Sequence, residues 1–341
     1  MLILPAFDLL RPASVAEAVD AARRAAGRFD YLGGGTDLLC NYKWGINAQP
    51  TVISLRHVAE LKRRDGRRVG GGVTLGELER DEDFLDAYPA FRGTLRTLAS
   101  PLIRETGTLA GNILLDTRCI WLNQTQFART ALGYCLKADG PECRVVKGSL
   151  DRCYANYSGD MAPVFMVLGA SVRLAGPDGE RSVPMTSFFQ LDGIKRNVKT
   201  REEVLVSLDL PADATEIRAS YQKFRVRDAW DFAELAVAVG VRVDGQKDGI
   251  DRIGELRLVG NAVASIPLWL DEVAKPFAGR TLDDATIDAI ADAVTAAVSP
   301  VRATWLPPSY RKQMAGVMTR RALREIRGDA AVAMDGAAVG V

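Results

Sequence analysis

The sequence predicts an α+β protein: an N-terminal mixed unit broken by glycine-rich turns, then a sheet that carries C-terminal helices. Three observations lead to this class. Short apolar strands and amphipathic helices alternate through the first part of the chain. Residues 203–208, 220–226, 235–243 and 253–259 read as alternating strands of a second unit, and helical patterns over 282–298 and 310–326 follow them. At 341 residues the chain also exceeds the usual size of one hydrophobic core, so two or three packed units are expected. No internal repeat is visible.

Each element has a local reason. Ser14-Val15-Ala16-Glu17 is a capping box that opens a helix to about residue 26, with Val15, Ala18, Val19 and Ala22 on one face. Tyr31-Leu32 is a short strand that ends at Gly33-Gly34-Gly35, and residues 51–55 form another strand. Residues 68–70 lead into a second glycine cluster, Gly70-Gly71-Gly72, after which Thr74-Leu75-Gly76-Glu77 caps a short helix. A longer helix is expected over 90–98, stopped by Ser100-Pro101. From 103 to 159 the pattern turns irregular; a helix at 161–168 and a strand at 170–174 restore regularity. The small, weakly patterned residues 328–341 read as a frayed tail.

Composition excludes several classes. Forty-four Lys and Arg against 43 Asp and Glu leave a net charge of +1, without the clustered positive charge that phosphate neutralisation requires, so nucleic acid is not an expected partner. The N-terminus lacks a basic segment and breaks its apolar run at Pro5 and Asp8, and no 18-residue apolar run occurs; a cytoplasmic protein without membrane contact is expected. The single histidine, His57, rules out a His-rich zinc site and reads as a surface or packing residue.

Gly33-Gly34-Gly35-Thr36-Asp37 lies between a strand and a short helix. Glycines there let successive N–H groups converge on an anion, and Thr36 adds a hydroxyl. Gly107-Thr108-Leu109-Ala110-Gly111-Asn112 offers two more glycines, a hydroxyl and a carboxamide. Neither is GxGxxG or a Walker A loop, and either alone reads equally well as a tight turn. Two such turns facing one ligand suit a dinucleotide diphosphate.

Five cysteines occur, and Cys119, Cys135, Cys143 and Cys153 fall within 35 residues, where random scatter would put about half of one. Three readings compete. Buried free thiols fit poorly in so polar a stretch. Structural zinc normally uses cysteine pairs two to four residues apart, and the x15, x7 and x9 spacings here contain none. A 4Fe-4S cluster accepts thiolates from widely spaced loop positions and is favoured. Cys40, outside this stretch, reads as a packing thiol. Trp44, Trp121 and Trp230 suit either core packing or the shielding of a cofactor.

The order of the motifs carries a resemblance. Residues 32–39, Thr106 to Asn112, Ser158-Gly159-Asp160-Met161-Ala162-Pro163, Lys223-Phe224, Tyr310-Arg311-Lys312 and Arg320-Arg321-Ala322-Leu323 resemble the FAD subunits of the molybdenum hydroxylase (xanthine dehydrogenase) family over about residues 5–326. The resemblance implies a two-subdomain FAD-binding fold of the PCMH type, with subdomains at 1–56 and 57–212, then a C-terminal α+β domain at 213–327. It implies FAD contacts from Leu32, Gly33, Gly34, Gly35, Thr36, Asp37, Leu38 and Leu39 along the diphosphate, with Thr108, Gly111 and Asn112 on the other side. Thr74 joins the cofactor set, and Asp160 and Lys223 border the flavin half. Ala110 departs from the family's usual glycine.

The stretch at 117–157 is similar to an insertion in the beta subunits of 4-hydroxybenzoyl-CoA reductases. Asp116-Thr117-Arg118-Cys119, Gly133-Tyr134-Cys135-Leu136-Lys137, Cys143 and Asp151-Arg152-Cys153-Tyr154-Ala155 carry the match. The likeness implies a 4Fe-4S cluster held by Cys119, Cys135, Cys143 and Cys153. Arg118 and Arg152, beside two of these cysteines, read as surface charges or as an offset to thiolate charge. The family further implies an electron-transfer subunit with no catalytic residue of its own. Its expected partners are a molybdenum-cofactor large subunit, a 2Fe-2S small subunit and a ferredoxin-type donor, in a dimer of heterotrimers that removes a ring hydroxyl from an aromatic acyl-CoA. The alternatives are an NAD-linked FAD subunit of another molybdenum hydroxylase and a flavin-free scaffold.

Overall fold

The computed structural model describes residues 3–228 and 230–329, so the tail expected at 328–341 lies, beyond Asp329, outside the described residues. Three sheets organise the chain. The first contains β1 (Asp8–Leu10), β2 (Phe29–Leu32) and β3 (Thr51–Ser54), all parallel, in the order β1-β3-β2. The helix Val15–Arg24 connects β1 to β2 and buries Ala18, Val19 and Ala22 against Phe29 and Ile53. Small residues on that face bring the helix close to the sheet. The Ser14 hydroxyl caps it by accepting the Glu17 N–H, but the Glu17 carboxylate takes the Ala13 N–H, so only half of the expected box forms. At Thr74 both halves are present.

The second sheet is antiparallel, in the order β4-β5-β8-β6-β7: β4 (Arg64–Asp65), β5 (Arg68–Gly70), β6 (Ser171–Gly176), β7 (Gly179–Pro184) and β8 (Val204–Asp209). Here the structure corrects the sequence reading. Residues 203–208 were read as a strand of the second unit, yet Val204–Asp209 pairs with β5 and β6 in this sheet, with Leu208 opposite both Val69 and Val172, inside the 57–212 segment that the resemblance implies. Alternation marks a strand but does not choose its neighbours.

The third sheet, in the order β12-β11-β10-β9, contains β9 (Ile217–Phe224), β10 (Leu235–Lys247), β11 (Ile250–Asn261) and β12 (Leu268–Trp269). Its long strand β10 is buried on both faces from Leu235 to Val241. Leu235, Val237, Val239 and Val241 pack with Ile287, Ile290 and Leu323 of the helices Asp284–Ala297 and Pro308–Arg327. Ala236 and Ala238, on the opposite face, belong to the central core with Met161, Val164 and Phe165. The period of two therefore sorts large side chains toward the C-terminal helices and small ones toward the helix Met161–Val167. Arg311, fully buried, ties the last helix down through the carbonyls of Glu234 (2.7 Å) and Val301 (2.9 Å).

The stretch expected to be irregular contains two short helices, Leu109–Ile113 and Gln126–Leu132, each capped by a threonine hydroxyl. Ser100-Pro101, expected only to stop a helix, also starts the turn Pro101–Arg104. Residues 117–157 leave the body through a neck in which Arg118 and Asn156 exchange backbone hydrogen bonds of 2.7 and 2.8 Å. The apolar core beneath them consists of Ile46, Cys119, Leu122, Cys153, Ala155 and Ala303. His57 is exposed. No helix among the described residues is long and apolar enough to cross a membrane.

Candidate functional site

A cleft of about 1370 Å³ runs between the first two sheets and the edge of the third. This exceeds the roughly 300–1,000 Å³ of ordinary small-molecule pockets and suits an extended ligand. Gly33, Gly34, Gly35, Thr36, Asp37 and Leu38 line it, as do Thr74, Thr108, Gly111, Asn112, Asp160 and Lys223. Leu32 and Leu39 are not among the lining residues. Each reaches within 3.1 Å of the point where a Gly35 side chain would begin, so they pack around the turn and leave the wall to its backbone.

The two glycine turns, expected to grip a ligand from opposite sides, touch each other. A Cβ on Gly34 would fall 1.8 Å from the Thr106 carbonyl oxygen, and one on Gly33 would fall 2.6 Å from the Thr108 Oγ1. Only glycine allows that backbone approach, so the turns form one continuous floor. The second glycine cluster joins them: Ala110 N–H donates to the Gly71 carbonyl at 2.9 Å, and a Cβ on Gly71 would meet the Ala110 Cβ at 3.0 Å. Gly71 thus makes room for the alanine that departs from the family's glycine.

The polar groups of this floor are partly committed. The Thr108 Oγ1 accepts the Gly111 N–H, which leaves its proton to donate. The Asn112 Oδ1 accepts the Met161 N–H at 2.9 Å and caps the helix Met161–Val167, so what Asn112 offers a ligand is its NH2. Asp160 and Lys223 form a buried ion pair of 2.9 Å at the cleft wall, and Tyr221 donates to the same carboxylate at 2.6 Å. Burial, then the Asp160 charge, pushes the Tyr221 phenol well above its ordinary range, so it stays a donor. Cys40, expected as a packing thiol, is exposed at the cleft with its Sγ against the Thr36 carbonyl at 3.4 Å. It follows the turn on the solvent side of a six-residue helix, Leu38–Lys43, whose buried residues are Asn41 and Tyr42.

The second feature is a small apolar cavity. Cys119, Cys135, Cys143 and Cys153 all line it, with Trp121, Leu122 and Val145, and it encloses only about 10 Å³. The tryptophans divide: Trp121 is on this wall, Trp44 packs against the same small core, and Trp230 stands at the cleft. Burial pushes the Cys119 thiol up to about 12 and the Cys153 thiol up to about 11, and each is raised further by neighbouring cysteines of the set. Cys119 and Cys153, raised in this way, ionise only when a cation replaces their protons. Among the described residues, no group of three or more His, Cys, Asp or Glu is drawn together tightly enough for a single metal ion.

Sequence reading missed the groups that join the two features. Arg118 is no surface charge: it is largely buried, pairs with Asp37 of the first glycine turn, and stacks 4.4 Å from the Phe232 ring centroid. Burial lowers its pKa to about 10. Arg129 donates to the carbonyls of Gln124, Trp44 and Gly45, fastening the insertion to the end of the helix Leu38–Lys43. Lys137 donates to Asp116 (2.6 Å) and to the Thr117 hydroxyl (2.7 Å). Burial alone would raise the Asp116 carboxyl, but Lys137 and Arg196 hold it below its ordinary value. No spacing or periodicity distinguished these cations from surface ones.

A parallel sheet with glycine turns, an antiparallel sheet and a long cleft between them suit a dinucleotide-binding class, and known proteins sharpen this. Residues 5–213 match the model of the FAD-binding domain in molybdopterin dehydrogenases, and residues 219–326 match the CO dehydrogenase flavoprotein C-terminal domain. The chain belongs to this family of molybdenum hydroxylase FAD-binding subunits. It is 29% identical over 331 residues to the carbon monoxide dehydrogenase medium chain of Afipia carboxidovorans, covering 95% of this chain and 98% of that one. To the xanthine dehydrogenase FAD-binding subunit of Escherichia coli O157:H7 it is 24% identical, covering 86% and 87%. Among solved structures, the Cu,Mo-CO dehydrogenase in its cyanide-inactivated form superposes with a TM-score of 0.76 at 26% identity, over 96% of this chain and all of the other. FAD is therefore the ligand that the fold and family assign to the chain.

Proposed function

We propose that this chain is the FAD- and 4Fe-4S-carrying electron-transfer subunit of a molybdenum-containing reductase resembling 4-hydroxybenzoyl-CoA reductase. The observation that carries this reading is the single cavity lined by all four insertion cysteines. An insertion whose small apolar core is partly made of the thiols themselves needs a bound centre to order it. The x15, x7 and x9 spacings lack the close cysteine pairs usual for zinc, and a cluster accepts thiolates from widely spaced positions.

FAD supplies the coupling of one-electron to two-electron transfer when bound. The chain's own residues do the rest. The floor of Gly33 to Leu38 and of Thr108, Gly111 and Asn112 holds the diphosphate. The buried pair Asp160 and Lys223 borders the flavin half, and Thr74 keeps the adjoining turn in place. Cys119, Cys135, Cys143 and Cys153 hold the cluster. In this reading a ferredoxin-type donor delivers electrons at the insertion. A 2Fe-2S small subunit and a molybdenum large subunit receive them for dehydroxylation of an aromatic acyl-CoA, in a dimer of heterotrimers in the cytoplasm. The subdomains span 1–56 and 57–212, with the C-terminal domain at 213–327.

A second reading is an NAD-linked FAD subunit, without a cluster, of a CO-, xanthine- or aldehyde-dehydrogenase-type complex; the names of its relatives favour that type of complex. Anaerobic purification separates the two. About four irons with acid-labile sulfide per FAD, and a reductant-dependent EPR signal lost in C135S and C143S, support the first. FAD without iron, or iron that survives both substitutions, overturns it.

A further inference from the structure

Among the described residues, Lys137 alone lines both the cysteine cavity and the glycine-floored cleft. It sits in the turn Leu136–Ala138 directly after Cys135, with its side chain only 5% exposed. Its ammonium donates to the Asp116 carboxylate at 2.6 Å and the Thr117 hydroxyl at 2.7 Å. That hydroxyl donates in turn to the Gly193 carbonyl at 2.8 Å, and the Gly193 N–H donates to the Cys153 carbonyl at 2.8 Å. A Cβ on Gly193 would lie 2.7 Å from the Cys153 Sγ, so glycine is what lets this strand of the network approach the thiol. Thr117 also stands two residues before Cys119. One buried network therefore runs from the turn after Cys135 to the Cys153 backbone.

Asp116 faces Lys137 and, at 3.3 Å, Arg196, and Arg196 also acts on Asp30, so each carboxylate stands near a cation. The Lys137 charge itself is placed in the wall that separates the two cavities.

We propose that Lys137 is a positioning residue whose fixed positive charge, in the wall shared by the two cofactor sites, makes the iron–sulfur centre easier to reduce. The inference rests on the cluster reading above. A cube with four thiolates is already anionic, and one added electron makes it one unit more negative with no bond formed or broken. A cation in a low-dielectric wall stabilises the reduced form more than the oxidised one. Lys137 thereby brings a low-potential electron from an external one-electron donor closer in energy to the flavin beyond the wall.

The test is an EPR-monitored dithionite titration of the full chain, with iron, sulfide and FAD assayed on the same samples. K137M keeps the stem and removes the charge. At a fixed potential its reduced-to-oxidised ratio falls about tenfold, about 59 mV for a one-electron couple, and K137R restores it. D116N, which releases a second positive charge, shifts the ratio the opposite way and serves where K137M loads no iron. A wild-type ratio in iron-loaded K137M, or an unchanged or lower ratio in D116N, overturns the proposal. Wild-type chain that holds FAD but no iron overturns the cluster reading itself, and the iron assay tells these failures apart.

Discussion

Arg118 pairs with Asp37, so the residue before the first insertion cysteine holds the last polar residue of the first glycine turn. Two segments 81 positions apart in the chain share this contact. One belongs to the expected FAD floor and the other to the neck of the cysteine insertion. The contact ties the base of the insertion to the floor of the cleft.

Replacing Arg118 by Met leaves Asp37 without its cation and the Phe232 ring without its stacked guanidinium. FAD affinity is expected to fall about tenfold, about 1.4 kcal/mol. Fluorescence titration of deflavinated protein measures this. D37N alone should cost a similar amount, and the double variant little more, because the two side chains share one interaction. Strictly additive losses would show that they act separately.

Gly34→Ala tests the contact between the turns. The new Cβ meets a backbone carbonyl at 1.8 Å and the Gly107 Cα at 2.9 Å, neither of which can swing aside. The turns must separate, so FAD binding is expected to be lost, with at least about 2 kcal/mol of stability. Gly93→Ala is the control. It lies inside the helix Ala90–Thr97 with nothing within 4 Å of its Cβ position, and should stabilise the chain by roughly 0.5–1 kcal/mol with FAD binding unchanged. Thermal melts and flavin content report both.

The glycine turns and cysteines were legible because their demands are local. A triple glycine after a strand, or four thiols in one polar stretch, announces itself without knowledge of any partner. What stayed hidden is nonlocal. The strand at 204–209 alternates as well in one sheet as in another, and its register with β5 and β6 is set by chain segments far away in sequence. Arg118, Arg129 and Lys137 look like surface cations because nothing in the sequence shows which carboxylates and carbonyls surround them. Cys40 was misread for the opposite reason: free cysteine is usually buried, and the short helix after the first turn happens to point it outward.

Lys199 gives a pH signature. Its ammonium donates to the carbonyls of Thr200 and Glu203, and burial lowers its pKa from 10.5 to about 8. Below pH 8 it is charged in both folded and unfolded chains. Between about 8 and 10.5 the unfolded chain binds more protons, so this group's contribution to stability rises with pH through that window. The gain is at most about 3 kcal/mol. Urea melts of wild type and K199M across pH 7.5–10.5 should show the wild type gaining on the variant as pH rises; parallel curves would place Lys199 in solvent.

Residues 117–157 should behave differently with and without the proposed centre. They are held by the backbone pairing of Arg118 with Asn156, by the Arg118–Asp37 ion pair, by the two contacts of Arg129 to the Trp44 and Gly45 carbonyls, and by a core in which Cys119 and Cys153 take part. A core of that size contributes little beyond the entropy of ordering some forty residues, so the insertion should open independently of the three sheets. Protease cleavage of iron-free chain is then expected first within 117–157, with the body intact and FAD retained. Iron-loaded chain should resist at the same sites, because a centre bound by four thiolates closes the loops between them. Arg129→Met removes the fastening to Trp44 and Gly45 and should speed cleavage of iron-free chain several-fold while leaving the loaded form protected. Equal cleavage of loaded and iron-free wild type would mean that the insertion is ordered by its protein contacts alone.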